Sequence, residues 1–140
     1  TQEGSHRYRM ALYPHDGNWR FAYKEGLAFN QPLTAFCHST GDQPAASSLP
    51  ASMSLLKTEP SNLIVSALKK AEDRQGTIIR FYESEGRFTR AKISGFKPFA
   101  QVWLTDMLEY NIREIPINAE GTAEIPVKPY EIITLRTYLQ

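Results

Sequence analysis

The sequence predicts an all-β protein, an antiparallel β-sandwich with one short helix near the N-terminus. Short runs of alternating or β-branched residues recur along the chain, turn-forming residues separate them, and one segment has helical spacing. With 140 residues the chain has the size of one domain around one core. We therefore expect a single sandwich domain over residues 1–140.

The N-terminal third is expected to contribute two strands. Residues 1–5 have no apolar pattern, so we interpret them as a frayed end or a non-native remnant. Residues 6–13 alternate apolar and basic side chains, which predicts a half-buried strand, and residues 33–38 predict a second, shorter one. Residues 39–50 are rich in Ser, Gly, Pro and Ala and predict an exposed loop.

The predicted helix lies between these two strands. Asn18 is a favourable N-cap residue, and Trp19, Tyr23 and Leu27 follow at near-helical spacing. Pro32 limits how far such a helix can extend. The sequence thus predicts one short helix over residues 19–29.

The most informative tract covers residues 62–87, where two apolar runs flank a polar break at residues 72–76. The first run fits two structures, because Leu-Ile-Val favours a strand and Leu-Lys-Lys-Ala-Glu favours a helix that ends at Gly76. The second run, residues 77–84, is short and rich in β-branched and aromatic residues, so it predicts a strand. These residues alone allow either a hairpin or a helix followed by a strand.

Further strands are predicted on both sides of this tract, with Glu59-Pro60 ending the first of them and Pro129 bending the last. They cover residues 52–57, 87–94, 101–109 and 124–138.

Charge and cysteine content exclude several classes of function. Sixteen basic and 15 acidic residues give a net charge of +1 without a run of like charge, which argues against binding nucleic acid or a membrane surface by bulk electrostatics. No segment resembles a transmembrane helix or a signal peptide. Cys37 is the single cysteine, so we expect a reducing, cytoplasmic compartment and a small apolar strand residue in place of a nucleophile.

The polar residues do not form a recognisable catalytic or metal-binding pattern. His6, His15 and His38 are scattered without the spacing of a zinc site, so no metal site is predicted in this chain. Glu83 and Glu85 would share one strand face and could form half of an acid/base pair, but we favour a solvated edge strand. Glu72 and the aspartate after it are interpreted as turn residues.

The candidate binding residues are His15, Asp16 and Trp19, in the turn sequence PHDGNW. A turn projecting from one end of a sandwich is a frequent place for function. Sugar rings stack on exposed aromatic faces while their hydroxyls need polar partners, and this turn offers both. Most other aromatic residues are expected in the core.

Four segments resemble the C-terminal region of glycoside hydrolase family 38 α-mannosidases, in the order of that family. The resemblance implies a β-sandwich, and hence a hairpin for residues 62–87 with its loop at residues 72–76. The segments are RMALYPHDGNW (residues 9–19), LAFNQPL (27–33), LIVSALKKAEDRQGTIIRFYESEGR (63–87) and PYEIITLR (129–136).

The resemblance also implies that the chain is part of a longer enzyme. Such an enzyme hydrolyses α-mannosidic bonds with retention, and its aspartate nucleophile and zinc ligands belong to motifs that these 140 residues lack. We therefore expect no catalytic residue and no cofactor here, and zinc in the missing catalytic domain. The expected role is structural: packing against the preceding domains and lending the turn at residues 13–19 to the edge of the mannoside cleft.

The sequence also allows two other functions. One is an autonomous carbohydrate-binding module for mannosides, and the other is an oligomerisation or protein-interaction sandwich.

Overall fold

The computed structural model describes residues 3–37 and 50–140, in two compact units that comprise residues 1–46 and 47–140. The first unit contains a 3-10 turn, Trp19–Phe21, followed by helix α1, Tyr23–Asn30. Asn18 caps the turn as expected, since its Oδ1 accepts a hydrogen bond from the Arg20 N–H at 3.0 Å. The short helix near the N-terminus is confirmed, whereas the single domain over residues 1–140 stays a prediction.

The two strands predicted in the N-terminal third are wrong. Residues 6–13 and 33–37 lie outside any strand and are exposed, and His38 lies outside the described residues. An alternating pattern forms a strand only where another strand supplies hydrogen-bond partners, and no strand among residues 3–37 and 50–140 does so here. Cys37 is accordingly exposed, contrary to the small apolar strand residue that we expected.

The second unit is an antiparallel sandwich of two sheets, which confirms the predicted fold class. Its strands are β1 Leu56–Glu59, β2 Leu63–Lys70, β3 Thr77–Glu83, β4 Thr89–Gly95, β5 Phe99–Thr105, β6 Asn111–Glu114, β7 Ala123–Val127 and β8 Ile132–Leu139. Three of them form one sheet in the order β1-β4-β7, and five form the other in the order β2-β3-β8-β5-β6.

The ambiguous tract is a hairpin, as the family resemblance implies. Strands β2 and β3 pair from Leu63 opposite Glu83 to Lys70 opposite Thr77. Gly76, at the end of the turn, has a φ of 82°, and a Cβ there would lie 2.8 Å from the Thr137 carbonyl oxygen. Only glycine fits this position without strain, which explains why the polar break ends there.

The core lies between the two sheets and is built from alternate residues of the strands. Ala91 and Ile93 of β4 are buried as the sequence predicts, whereas Leu108, expected to continue the apolar side of β5, is exposed because β5 ends at Thr105. The core residues are Leu63, Ile79, Phe81, Ala91, Ile93, Phe99, Val102, Ile115, Ala123, Ile125, Val127, Ile133 and Leu135.

Candidate functional site

The predicted binding turn lies in the first unit. The His15 ring donates through Nδ1 to the Asp16 carbonyl oxygen at 3.0 Å and stacks on Tyr13 with ring centroids 6.2 Å apart. Trp19 is half exposed and forms a T-shaped contact with Tyr23, with ring centroids 5.9 Å apart. The structure thus places His15, Asp16 and Trp19 at an accessible turn, the kind of place from which a sugar could be contacted.

The carboxylate of Glu83 is the most buried charged group in the second unit, and this corrects the sequence interpretation. We expected a solvated edge strand, but β3 lies between β2 and β8, and Glu83 is fully buried. The main chain after β3 folds back around the carboxylate. Glu85, the other half of the supposed pair, contacts Arg87 at 2.9 Å.

Five N–H groups hold the Glu83 carboxylate. The backbone N–H groups donate from Glu85 at 2.8 Å, Gly86 at 2.7 Å, and Arg87 and Tyr130 at 3.1 Å. The fifth is the side-chain amide of Asn62, 2.7 Å away. Because both carboxylate oxygens are occupied in this way, neither has room for a substrate proton.

The electrostatics of this site keep Glu83 ionised. Burial by itself raises the pKa of the carboxyl, but hydrogen bonds from the Tyr130 N–H, the Asn62 amide and the next N–H groups outweigh it and lower the pKa to about 2. A general acid needs a pKa close to the working pH, so Glu83 is unsuited to acid/base chemistry. Its geometry is that of a structural anchor.

A glycine allows the main chain to turn closely around the Glu83 carboxylate. Gly86 has a φ of 73°, and a Cβ there would lie 2.5 Å from the Tyr130 hydroxyl oxygen. The connection between β3 and β4 and the turn before β8 therefore meet at the same carboxylate.

A second charged cluster centres on Arg136 of β8, which is 8% exposed. Its Nη1 donates to Asp73 Oδ2 at 2.5 Å, and its Nη2 donates to the Glu109 carbonyl oxygen at 2.8 Å. Asp73 belongs to the β2–β3 turn and Glu109 to the connection between β5 and β6. One guanidinium thus ties two separate loops to a central strand.

Glu109 strengthens the same cluster through its side chain. Its carboxylate lies 2.7 Å from Lys69 Nζ and accepts the Glu72 N–H at 2.9 Å. Lys69, and then the Glu72 N–H, lower the pKa of the Glu109 carboxyl despite its burial. Glu72 and Asp73, expected to be simple turn residues, are therefore part of a charge network, since Lys69 also contacts Glu72.

A shallow pocket of about 180 Å³ opens beside this cluster, lined by Asp73, Glu109, Tyr110, Asn111 and Arg136. No sequence pattern indicated this pocket, since these residues lie in three separate segments. The one available signal was Arg136 itself, a cation within an apolar strand, which predicts a buried partner. The cluster can hold loops in place, but it presents no nucleophile with an adjacent base.

Within residues 3–37 and 50–140, no group of three or more His, Cys, Asp or Glu side chains is placed to hold a metal ion. Within the same residues, none of the helices has the length and apolar character needed to cross a membrane.

Comparison with known proteins identifies relatives of much greater length. The family model for the "Glycosyl hydrolases family 38 C-terminal beta sandwich domain" matches residues 62–135, more than half of the chain. "Alpha-mannosidase G" of Dictyostelium discoideum is 29% identical over 138 residues, which are 95% of this chain and 12% of that protein. The "Putative mannosylglycerate hydrolase" of Halalkalibacterium halodurans is 26% identical over 133 residues, 95% of this chain and 14% of that protein.

Proposed function

Because the chain belongs to the family 38 glycosyl hydrolases, matching their C-terminal β-sandwich domain, we propose that it is a non-catalytic structural domain of a longer α-mannosidase. The similarity to an α-mannosidase over 95% of the chain supports this substrate class. The chain spans 12% and 14% of its two relatives, so the activity would belong to the longer polypeptide and to its other domains.

The contacts of the two buried glutamate carboxylates support the structural role. Glu83 is enclosed by five N–H groups, and the Glu109 carboxylate is engaged by Lys69 and the Glu72 N–H. Retaining glycosidases need a nucleophilic carboxylate and an acid/base carboxyl facing the sugar. Both buried glutamates instead hold loops together.

For the longer enzyme we infer retention of configuration and zinc in a catalytic domain outside these 140 residues, with cytoplasmic localisation. The family resemblance and the single cysteine support these inferences. Zinc bound there would position the sugar hydroxyls and polarise them. The domain described here would pack against the preceding domains of the same polypeptide.

The turn with His15, Asp16 and Trp19 is the part of the chain that we propose to reach the edge of the mannoside cleft. Its support is accessibility, since His15 and Asp16 are exposed and Trp19 is 50% exposed. Replacing His15 and Asp16 by alanine in the longer enzyme should then raise KM for a mannoside. Unchanged activity and affinity would rule the idea out.

The same accessible indole favours a second candidate, an autonomous mannoside-binding module. Half of the Trp19 surface is open, and an aromatic face of this kind can stack on a sugar ring. Titration with mannose or α-mannobiose separates the candidates, because the structural role predicts no saturable shift in the tryptophan fluorescence of the 140-residue chain.

Enzyme assays test the main proposal. The 140-residue chain with added zinc should not hydrolyse an aryl α-mannoside, whereas the longer polypeptide should hydrolyse it and lose activity when a chelator removes the metal. Hydrolysis by the 140-residue chain above the buffer rate would contradict the non-catalytic role. A longer polypeptide without α-mannosidase activity would contradict the substrate class.

A further inference from the structure

The connection between β5 and β6 reverses the usual polarity of a surface loop. Three apolar side chains are exposed, with Met107 at 60%, Leu108 at 75% and Tyr110 at 70%, whereas the charged Glu109 among them is 4% exposed. Ile112 of β6 continues the exposed apolar surface at 61%. We call residues 107–112 the β5–β6 patch.

The loop that carries the patch is fixed by hydrogen bonds. Asp106 Oδ1 accepts the N–H groups of Leu108 and Tyr110, both at 2.9 Å, and the Asp106 N–H donates to the Tyr110 carbonyl at 3.1 Å. Glu109 has a φ of 70°, a conformation that L-residues rarely adopt. The apolar side chains are thus held outward by the backbone.

Glu109 anchors this loop to the sheet. Its carboxylate binds Lys69 and its carbonyl oxygen accepts the Arg136 guanidinium, so the loop is tied to both β2 and β8. A loop ordered in advance pays little further conformational entropy when its side chains are buried by a partner. Methionine and tyrosine are also enriched where proteins meet.

Edge strand β6 extends the patch. Among the residues that the structure describes, it pairs with β5 alone, and all four of its residues are exposed. Exposed apolar residues beside a free strand edge are a liability for a domain in isolation. Burial by a partner would remove both the apolar surface and the open edge from water.

We propose that the β5–β6 patch docks against an apolar surface of another domain of the same, longer polypeptide. This inference rests on the proposed function. The length of the relatives indicates this partner: the chain spans 12% and 14% of the two relatives described above, so most of such a polypeptide lies outside it. An intramolecular partner is present at high effective concentration, which a second copy is not.

Methionine oxidation, read by mass spectrometry, tests the docking. Met107 is 60% exposed in this chain and should oxidise readily, and in the longer polypeptide it should oxidise about tenfold more slowly, because the interface must first open. Leu108→Asp in the longer polypeptide should return Met107 to the rate of the 140-residue chain. The matched control is Phe88→Asp, which changes a side chain that is 67% exposed on the β3–β4 connection and should leave Met107 protected.

The unfolding midpoint and the concentration dependence of Met107 oxidation distinguish undocking from unfolding and from self-association. Leu108→Asp should leave the unfolding midpoint of the 140-residue chain unchanged, so a return of Met107 oxidation would report undocking and not unfolding. Equal rates of Met107 oxidation in the two polypeptides would overturn the docking. Protection of Met107 from oxidation that rises with the concentration of the 140-residue chain would also overturn it, because the patch would then bind a second copy. A natural polypeptide of only 140 residues would instead refute the proposed function.

Discussion

At the scale of single residues, Glu83 shows how burial changes the role of a carboxylate. In the sequence it stands two residues from Glu85 and looks like half of a pair on a wet strand. In the structure its strand is interior, and five N–H groups surround the charge. The charge therefore stabilises the fold where two connections meet.

Glu83→Gln should destabilise the domain at pH 7 and remove the part of its stability loss in acid that comes from protonation of Glu83. The folded-state pKa of about 2 lies below the ordinary value of 4.5. Stability from this group is therefore fully present above pH 4.5 and is lost as the pH falls from 4.5 towards 2. Its size is on the order of 3 kcal/mol. Urea unfolding at pH 7 and at several pH values below 4.5 measures the free energy of unfolding.

Glu120→Gln is the matched control, because Glu120 is exposed and its substitution should leave the pH dependence unchanged. If Glu83→Gln and the unsubstituted chain lost stability in parallel over this pH range, the anchor role of Glu83 would be wrong.

At the scale of elements, the β2–β3 hairpin and the β5–β6 connection are coupled through one side chain. Arg136 of β8 bonds to Asp73 in the first and to Glu109 in the second. The hydrogen bond to Asp73 raises the pKa of the Arg136 guanidinium, which stays charged despite burial. Neither loop can leave the sheet without breaking a charged contact.

Arg136→Met should lower the free energy of unfolding by about 3 kcal/mol, because removing one member of a buried charged cluster leaves its partners uncompensated. Arg136→Lys should fall between, since lysine keeps the charge but lacks the fork that reaches both loops. Chemical denaturation measures both. Hydrogen exchange at Leu108 and Tyr110 N–H, which close the β5–β6 loop, should accelerate in Arg136→Met.

The control for this cluster is Arg90→Met. Arg90 pairs with Glu124 at 3.7 Å and its side chain is 73% exposed, so its loss should cost at most about 1 kcal/mol. Equal effects of Arg136→Met and Arg90→Met would show that the buried cluster contributes no more than a surface pair.

At the scale of the whole molecule, the eight strands and the core cluster found in the described part of the chain lie within residues 47–140. None of the described residues 3–37 belongs to that cluster. The sandwich therefore has its own core, which is the physical requirement for folding alone.

Removal of residues 1–46 tests the single domain predicted from chain length. We expect residues 47–140 to keep a strand-type circular dichroism spectrum and a cooperative urea transition, because no core residue is lost. Deleting residues 132–140 is the contrasting variant, since it removes β8 from between β3 and β5 and should abolish that transition. If the first truncation also abolished cooperative unfolding, the chain would be one domain.

Much of the second unit was predictable because its signals are local. Short strands separated by turns predict the sandwich, and the sites of β4, β7 and β8 follow from residues such as Ala91, Ile93 and Ile125, which alternate with polar neighbours. The family resemblance was needed for the first half of residues 62–87, since local propensity favoured helix and strand equally there. The residues 6–13 show the reverse failure, because alternation without a partner strand gives no strand.

The fold class, the short helix after Asn18 and the family could be predicted from the sequence, because hydrophobic period, capping residues and segment order are properties of neighbouring residues. Tertiary structure alone decided which charges are buried. Glu83 has three local N–H partners, but its burial is completed by Asn62 and Tyr130, 21 and 47 positions away, and Arg136 bonds to Asp73, 63 positions away. Electrostatic environment depends on distance in space, and no local pattern encodes it.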